Sequence, residues 1–357
     1  MSTPLRLVQD ALGAVWGEAG GHPVVRHYGD SPAEYQVVRT AAGLADRLDR
    51  ARIRLWGKDP VRMVQGLITN DLAGASPERG VYAALLTPKG RTLAELRAFR
   101  RESEVLLDLP REALAGTTEH LRKFVPPMFA RWADASDEVG CLGVYGPRSG
   151  QMLGSLLGET PALEEDERHD ATWADQPLLV VGTRDAGGED GYDLFAPVSV
   201  LPGLWDALLA AGAKPVGFDA LEVLRIEAGR PRYGAELTEE TIPTEAWEST
   251  GLMPRGISFT KGCYTGQEVI IRIAHRGHVN RHLRGLLLGD APAPIERTPL
   301  LHPDTAKQVG WTTSAVFSPL LQQNVALGYV RREVIPGSLV RVGDADAKVV
   351  ELPFAKP

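Results

Sequence analysis

One cysteine of this chain is surrounded by residues that favour its reactive form. Cys263 lies between Lys261 and Glu268 and has glycines on both sides. Thr265 and Glu268 have the spacing of a helix capping box, so the sequence predicts a helix that begins just after the thiol. A helix N-terminus and a neighbouring lysine cation both stabilise a thiolate. We therefore expect a reactive or ligand-binding cysteine, although a cysteine is more often a buried apolar residue.

The residues that follow this cysteine are rich in arginine and histidine. They are Arg272, His275, Arg276, His278, Arg281, His282 and Arg284. Guanidinium groups suit carboxylates and phosphates, so the arginines favour an anionic ligand tail, an acidic protein partner or RNA phosphate. The alternative is a solvated charged face. No aromatic residues interleave with the arginines, which argues against stacking on single-stranded nucleic acid.

The same histidines raise the question of a metal. Three histidines with a single thiol are a weak zinc pattern, because structural zinc sites normally use several thiolates. We therefore predict no metal site. A bridging iron–sulfur cluster that uses Cys263 as one ligand stays open, since thiolates favour such clusters.

The composition is that of a soluble globular protein with two or three domains. The chain has 357 residues, of which 43% are hydrophobic and 24% are charged. A net charge of −7 argues against nucleic-acid binding through overall charge. The two cysteines, Cys141 and Cys263, make no disulfide framework, and Cys141 has the apolar neighbours of a packing residue. No apolar run is long enough to span a membrane, so we expect a cytoplasmic protein without membrane contact.

The patterns of apolar and polar residues predict an α+β fold followed by a β domain. Strands are predicted at 52–56, 81–86, 92–100, 104–109, 142–145 and 178–182, and helices at 60–67, 110–123, 149–157, 202–210 and 219–228. The repeated strand-then-helix order predicts two similar α+β units, and residues 163–175 suit a surface loop. From about Val279, short strands separated by Pro, Gly and Asp predict a small antiparallel barrel. These patterns place a domain boundary between residues 278 and 279.

Several separated segments resemble those of one known family. The run Lys261 to Glu268 is similar to the signature of YgfZ-type folate-binding proteins, also called tRNA-modifying proteins, which are related to the glycine-cleavage T-protein, an aminomethyltransferase. The segments that resemble T-proteins as well are 66–71, 189–193, 224–229 with 233–234, 310–314 and 326–330. The resemblance implies that residues 1–278 form two intertwined α+β units around a channel that holds tetrahydrofolate. It also implies a C-terminal antiparallel β-barrel over residues 279–357.

The resemblance implies roles for individual residues as well. Glu189 matches the glutamate that grips the pterin, and a carboxylate can accept two adjacent N–H donors at once. Where T-proteins carry paired aspartates, this chain has Ala94 and Glu95, so Glu95 is the residue that would supply a catalytic carboxylate. Cys263 and Lys261 are the other candidate catalytic residues. The remaining candidate folate-binding residues are Asn70, Asp71, Tyr192, Arg225, Glu227, Tyr233 and Arg276.

Some of these residues also fit ordinary structural roles. Asn70 and Asp71 equally suit a turn and a helix cap. Glu227 and Tyr233 equally suit a helix face and its exit loop.

The function implied by the resemblance is a folate-dependent accessory protein for iron–sulfur clusters. It would help to assemble or repair clusters in target enzymes, including those that modify tRNA, with Cys263 as thiolate ligand or redox nucleophile. Its partners would be folate and iron–sulfur client or assembly proteins. One alternative is an enzyme that transfers an aminomethyl or methyl unit to or from tetrahydrofolate with the help of Glu95. A second alternative, with weaker support, is an RNA-binding adaptor.

Overall fold

The computed structural model describes residues 3–159, 162–188 and 190–354, with the side chain of Arg276 left out. The chain divides into two compact units, and each is built from three separate segments. Unit 1 comprises Met1–Val64, Leu72–Tyr82 and Leu96–Leu224, and unit 2 comprises Gln65–Asp71, Ala83–Glu95 and Arg225–Pro357. The expected domain boundary between residues 278 and 279 stays a prediction. No helix in the described ranges is long and apolar enough to cross a membrane.

Unit 1 is built on β-sheets, and its boundaries with unit 2 fall within strands β5 and β6. The strands are β1 (Val15–Ala19), β2 (His22–His27), β3 (Gly43–Asp46), β4 (Arg50–Trp56), β5 (Val81–Leu86), β6 (Thr92–Arg100), β7 (Glu104–Pro110), β8 (Arg131–Asp134), β9 (Val139–Tyr145), β10 (Arg168–Trp173), β11 (Gln176–Thr183), β12 (Gly191–Pro197) and β13 (Lys214–Pro215). One sheet has the order β10-β11-β12-β9-β3-β13 and another has the order β5-β6-β7-β4-β8. Strands β1 and β2 form a separate hairpin.

Apart from α1, which precedes the first strand, the helices of this part of the chain follow strands. They are α1 (Arg6–Ala11), α2 (Ser31–Thr40), α3 (Pro60–Gln65), α4 (Leu114–Phe124), α5 (Ser149–Leu157), α6 (Leu201–Ala210) and α7 (Phe218–Glu227). Strands β7 and β12 each end in a proline, Pro110 and Pro197, with nearly identical backbone angles. Each proline is followed by a 3-10 turn and then by a helix, α4 or α6. The prediction of two similar α+β units is thus confirmed: both are strand-then-helix repeats, and both lie within the compact unit 1.

Two apolar layers hold the six-stranded sheet. On one side, helices α5 and α6 pack Met152, Leu153, Leu204, Trp205 and Leu208 against Leu44, Leu142, Val180 and Leu194 of the sheet. A second cluster contains Phe99 and Leu106 of strands β6 and β7 together with Cys141, Val181 and Phe195 of the six-stranded sheet. Cys141 is 1% exposed, which agrees with the packing role predicted for it.

A buried ionic cluster joins the two larger sheets of unit 1. The Nη2 atom of Arg97, on β6, lies 2.7 Å from the Oδ2 atom of Asp108 on β7 and 2.5 Å from the Oδ2 atom of Asp193 on β12. The Nε atom of Arg50 lies 2.7 Å from Asp108, and the Tyr145 hydroxyl donates to Asp193 over 2.6 Å. Burial opposes the ionisation of Asp108, but Arg50 and Arg97 outweigh it and hold the pKa of this carboxyl below its usual value.

Unit 2 contains the predicted barrel. Its elements are α8 (Pro243–Thr250), α9 (Met253–Gly256), α10 (Gln267–Arg276), β14 (Arg281–Gly289), β15 (Pro299–Leu301), β16 (Gln308–Ser318), β17 (Gln323–Arg331), β18 (Leu339–Val342) and β19 (Ala345–Val350). The six strands close in the order β14-β17-β16-β15-β18-β19. Each strand supplies a buried residue to one core: Leu286, Leu300, Val309, Ala326, Val340 and Val349. The barrel prediction is confirmed, with the short strand β15 as an addition.

Two local predictions were wrong. Residues 163–175 do not form only a surface loop, because they include β10, an edge strand whose alternate residues are polar. Helix α10 begins at Gln267 rather than at a capping box around Thr265. Gly266, the residue before it, has φ +82° and no side-chain cap. A Cβ atom at Gly266 would lie 2.6 Å from the carbonyl oxygen of Thr87, so close packing against the β5–β6 hairpin sets this helix start.

The buried ionic cluster gives a stability prediction. Replacing one buried partner leaves the opposite charges unpaired, so Arg97→Met should lower the free energy of unfolding by about 3–5 kcal/mol. Denaturant titration measures this loss. The matched control is Arg54→Met, because Arg54 pairs with Glu138 at the surface over 2.9 Å and should cost less than about 1 kcal/mol. Equal losses for the two variants would contradict the importance of the cluster.

Candidate functional site

The side chain of Lys261 is buried and engaged with backbone carbonyls. It is 8% exposed, and its Nζ atom donates to the carbonyl oxygens of Gln65 at 2.5 Å, Ile68 at 2.7 Å and Asn70 at 2.9 Å. An ammonium group has three protons, so three acceptors use its whole donor capacity. Burial lowers the pKa of this amine to about 8, which leaves it charged at neutral pH. Its proposed action on the thiolate stays a prediction.

The segment Gln65–Asp71 is fixed by further hydrogen bonds. The Thr69 hydroxyl donates to the carbonyl oxygen of Gly256 over 2.6 Å, and the Asn70 amide donates to that of Arg255 over 2.7 Å. The Oδ1 atom of Asn70 accepts the backbone N–H of Asp71. These contacts use much of the Asn70 side chain for local structure. Folate binding by Asn70 and Asp71 stays a prediction.

Cys263 is exposed on a short segment with anchored ends. On one side is the buried Lys261, and on the other is Tyr264, whose ring centroid lies 5.0 Å from the lysine Nζ atom. The Tyr264 side chain is buried as well, and burial raises its pKa to about 12. A Cβ atom at Gly262 would meet nothing within 4 Å. The thiol is therefore open to other molecules, while its backbone is held on both sides.

Glu95 is a buried carboxylate of unit 2. It lies near the middle of strand β6 and is 5% exposed. Its Oε2 atom accepts the backbone N–H of Tyr233 over 3.2 Å. Two of the predicted site residues, which are far apart in the sequence, are thus in direct contact. A carboxylate in a fixed position is suited to holding a proton or accepting an N–H donor.

Arg225 and Glu227 contact barrel residues of unit 2. Arg225 donates from Nη1 to Glu236 over 3.0 Å and from Nη2 to the Ser314 hydroxyl over 2.8 Å. The Oε1 atom of Glu227 accepts the hydroxyl proton of Ser318 over 2.5 Å. These contacts give both side chains a structural role, and their part in folate binding stays a prediction. Glu236 is fully buried and was missed from the sequence, because an acidic residue in a loop with other glutamates nearby carries no pattern that predicts burial.

One of the remaining predicted site residues belongs to unit 1, and the side chains of the others lie outside the described residues. Tyr192 belongs to strand β12 of unit 1, where burial raises the pKa of its hydroxyl. Glu189 and the side chain of Arg276 lie outside the described residues. Arg281 makes two ion-pair contacts with Glu245, at 2.9 and 3.1 Å, and its guanidinium lies 4.8 Å from the ring centroid of Trp311. Arg281 is therefore engaged within unit 2.

The histidines of the basic segment do not assemble a metal site in the described part of the chain. No group of three or more His, Cys, Asp or Glu residues is arranged there to hold an ion. His282 instead lies 4.0 Å from Glu248, and burial lowers its pKa.

Comparison with known proteins assigns this architecture to a family. The model of the GCVT N-terminal domain matches residues 5–248, and that of the glycine cleavage T-protein C-terminal barrel domain matches residues 281–356. The chain belongs to the glycine-cleavage T-protein family. Aminomethyltransferases of this family use tetrahydrofolate, so the cofactor expected from the sequence is confirmed for the family.

Relatives match over their full lengths. The aminomethyltransferase of Rubrobacter xylanophilus is 31% identical, with 99% of this chain and 93% of the relative covered. That of Moorella thermoacetica is 30% identical, with 99% and 97% covered. A crystal structure of the glycine cleavage system aminomethyltransferase T from Bartonella henselae superposes with a TM-score of 0.84 at 22% identity, covering 99% of this chain and 97% of that one. The predicted fold is confirmed, as is the relation to T-proteins.

The contacts of Lys261 give the second prediction. Lys261→Met would leave three buried carbonyl groups without their donor, which should lower the free energy of unfolding by about 2–4 kcal/mol. Hydrogen exchange should also show loss of protection in the segment Gln65–Asp71, where the Thr69 amide donates to the Ala84 carbonyl. The exposed Lys89 provides the control Lys89→Met, which should change neither quantity. Unchanged exchange in Lys261→Met would show that this loop holds its structure without the ammonium.

Proposed function

We propose that this protein binds tetrahydrofolate and transfers a one-carbon unit to or from it. The main support is the similarity over the whole chain to proteins named aminomethyltransferase, together with the presence of both family domains. Similarity limited to the barrel or to the α+β part would be evidence for the fold alone. The first expectation from the sequence was an accessory role, and the relatives favour the transferase alternative.

The residues of the chain are chemically suited to a folate. The pterin ring presents adjacent N–H donors, which a carboxylate binds well, and by resemblance Glu189 is the residue that would accept them. Tyr192 is a candidate by resemblance only, since the structure packs its side chain in the apolar cluster of helices α5 and α6. Its neighbour Asp193 is fixed in the buried ionic cluster of unit 1. When bound, the folate would supply the nitrogen atoms that accept or give up the one-carbon unit.

Glu95 is the proposed catalytic carboxylate. Its contact with the Tyr233 backbone N–H orients the carboxylate. Near the reacting nitrogen, this group would hold a proton or stabilise a developing positive charge. The paired aspartates of T-proteins are replaced here by Ala94 and Glu95, so the carboxylate reaches further by one methylene group.

A second candidate function comes from Cys263. An exposed thiol on an anchored backbone suits a thiolate that must meet a cluster or a partner protein. This observation supports the YgfZ-type reading, in which the folate-bound protein assists iron–sulfur enzymes, including those that modify tRNA. In that interpretation Cys263 is the reacting group and Glu95 takes no part in the reaction.

Calorimetric titration with tetrahydrofolate tests the shared part of both candidates. The wild type should bind, and Glu189→Ala should weaken binding by at least about tenfold, since a charged hydrogen-bonding partner of the pterin is lost. Glu159→Ala, at an exposed glutamate, is the control and should bind normally. Absence of binding to the wild type would overturn the proposed function.

A comparison of two variants separates the candidates. If the protein is a transferase, Glu95→Gln should reduce one-carbon transfer by about 100-fold or more while tetrahydrofolate binding is kept, and Cys263→Ser should transfer normally. Glu102→Gln, at an exposed glutamate, serves as the control. Normal transfer by Glu95→Gln would refute the assigned carboxylate. Loss of iron–sulfur enzyme activity in cells with Cys263→Ser alone would favour the accessory role.

A further inference from the structure

Unit 1 contains a cavity that the proposed function does not use. Its volume is about 660 Å³, which is in the range of small-molecule sites. Apolar side chains form much of its wall, among them Trp16, Leu48, Leu114 and Leu201. Three arginines also line it: Arg52, Arg111 and Arg6, of which Arg6 pairs with Asp10 over 3.1 Å. Glu95, Lys261 and Cys263 all belong to unit 2 and have no part in this cavity.

Arg52 brings a buried charge to the cavity wall. It is 3% exposed, and its protein partners are backbone carbonyls: Val139 at 2.8 Å from Nε, and Arg50 and Arg47 at 3.0 and 3.4 Å from Nη1. Among the described residues no carboxylate lies within ion-pair distance of this guanidinium, and Nη2 donates to no protein atom. A buried cation with an unused donor is costly unless a partner arrives. The geometry therefore favours an anion at this wall.

A second guanidinium strengthens the positive character of the wall. The Nε atom of Arg111 donates to the carbonyl oxygen of Leu48 over 2.9 Å, which fixes the side chain in the cavity. Burial and the nearby Arg52 lower the pKa of Arg111. Burial and Arg111 in turn lower the pKa of His22, which also lines the cavity. Asp134, Asp137 and Asp49 offset part of this effect on Arg111, and a bound anion would relieve the repulsion that remains.

Two acidic residues line the cavity, and one of them, Asp137, is exposed to solvent. The other is Asp46, whose Oδ2 atom accepts hydrogen bonds from the Thr3 hydroxyl and the Gln9 amide, each over 3.0 Å. Burial raises the pKa of the Asp46 carboxyl to about 6. This carboxylate is thus engaged by neutral donors of the protein, and it does not form an ion pair with Arg52.

We propose that this cavity binds a small amphipathic monoanion, with Arg52 and Arg111 holding its anionic group and the apolar wall holding its body. Guanidinium groups suit a carboxylate in two-point contact, and the leucines with Trp16 suit an aliphatic or aromatic body. The proposal concerns a site separate from folate binding and does not depend on the proposed function.

Calorimetry on the full chain tests the site with defined probes. 4-Phenylbutyrate carries a carboxylate on an apolar body, and 4-phenylbutanol is its neutral counterpart. Inorganic phosphate is an anion without an apolar body. Phenylbutyrate should bind at least about tenfold more tightly than either of the others, because only it uses both parts of the cavity. Absent binding, or equal binding of the acid and the alcohol, would overturn the proposal.

Substitutions at the cavity wall test whether phenylbutyrate binds in this cavity. Arg111→Gln should weaken phenylbutyrate binding by at least about tenfold, whereas Arg122→Gln, at an exposed arginine of helix α4, should leave it unchanged. Should Arg111→Gln fail to fold, Leu114→Trp fills the cavity from its wall and should abolish binding of the acid. Equal effects of Arg111→Gln and Arg122→Gln, or full binding by Leu114→Trp, would place the ligand elsewhere and refute the assignment.

Discussion

Burial of charge is the constraint around which unit 1 is built. Arg97 lies between Asp108 and Asp193, so one guanidinium neutralises carboxylates from two different sheets. Because each sheet contributes only part of the cluster, neither sheet can bury its charged residue without the other. The surrounding apolar residues, such as Phe99 and Phe195, then exclude water from the same interior. Ion pairing and apolar packing therefore favour the same arrangement of strands.

Unit 2 also buries an ion pair, Arg225 with Glu236, and in addition it buries one cation against backbone carbonyls. No carboxylate of the described residues lies at hydrogen-bond distance from the buried cation of Lys261, and three backbone carbonyls supply its acceptors. Carbonyl oxygens carry only partial charge, so burial still lowers the pKa of the amine. The result is a fixed path for the segment Gln65–Asp71 next to the segment that carries Cys263. A reactive thiol can thereby be exposed while the backbone around it remains ordered.

The two candidate catalytic groups, Glu95 and Cys263, are held in position in different ways. Glu95 is held by the Tyr233 backbone, and Cys263 is held through its neighbours rather than by its own side chain. A buried, oriented carboxylate suits proton transfer in a dry site, whereas an exposed thiol suits contact with a large partner. The two proposed functions differ in which of these groups does the chemistry.

The sequence by itself determined the type and place of many elements, but it left others, such as the β1–β2 hairpin and α2, unpredicted. Alternation and turn residues predicted strands β5 and β6 and the C-terminal barrel, because these patterns are local and repeat every two residues. The predicted capping box was wrong because it, too, rests on local spacing alone. Thr265 and Glu268 have that spacing, but close packing of Gly266 against the β5–β6 hairpin decides where α10 begins. Strand β10 was missed because an edge strand with many polar residues resembles a loop.

Only the tertiary structure decided the partners of the charged residues. Lys261 meets carbonyls that lie more than 190 residues earlier in the chain, and Arg97 meets Asp193 across two sheets. No local pattern encodes such a pairing, since the identity of a charged residue says nothing about which distant group will satisfy it. The signature around Cys263 showed from the sequence that chemistry was concentrated there. The fold then assigned Lys261 to the backbone and left the thiol exposed, because an ammonium must find acceptors before it can be buried.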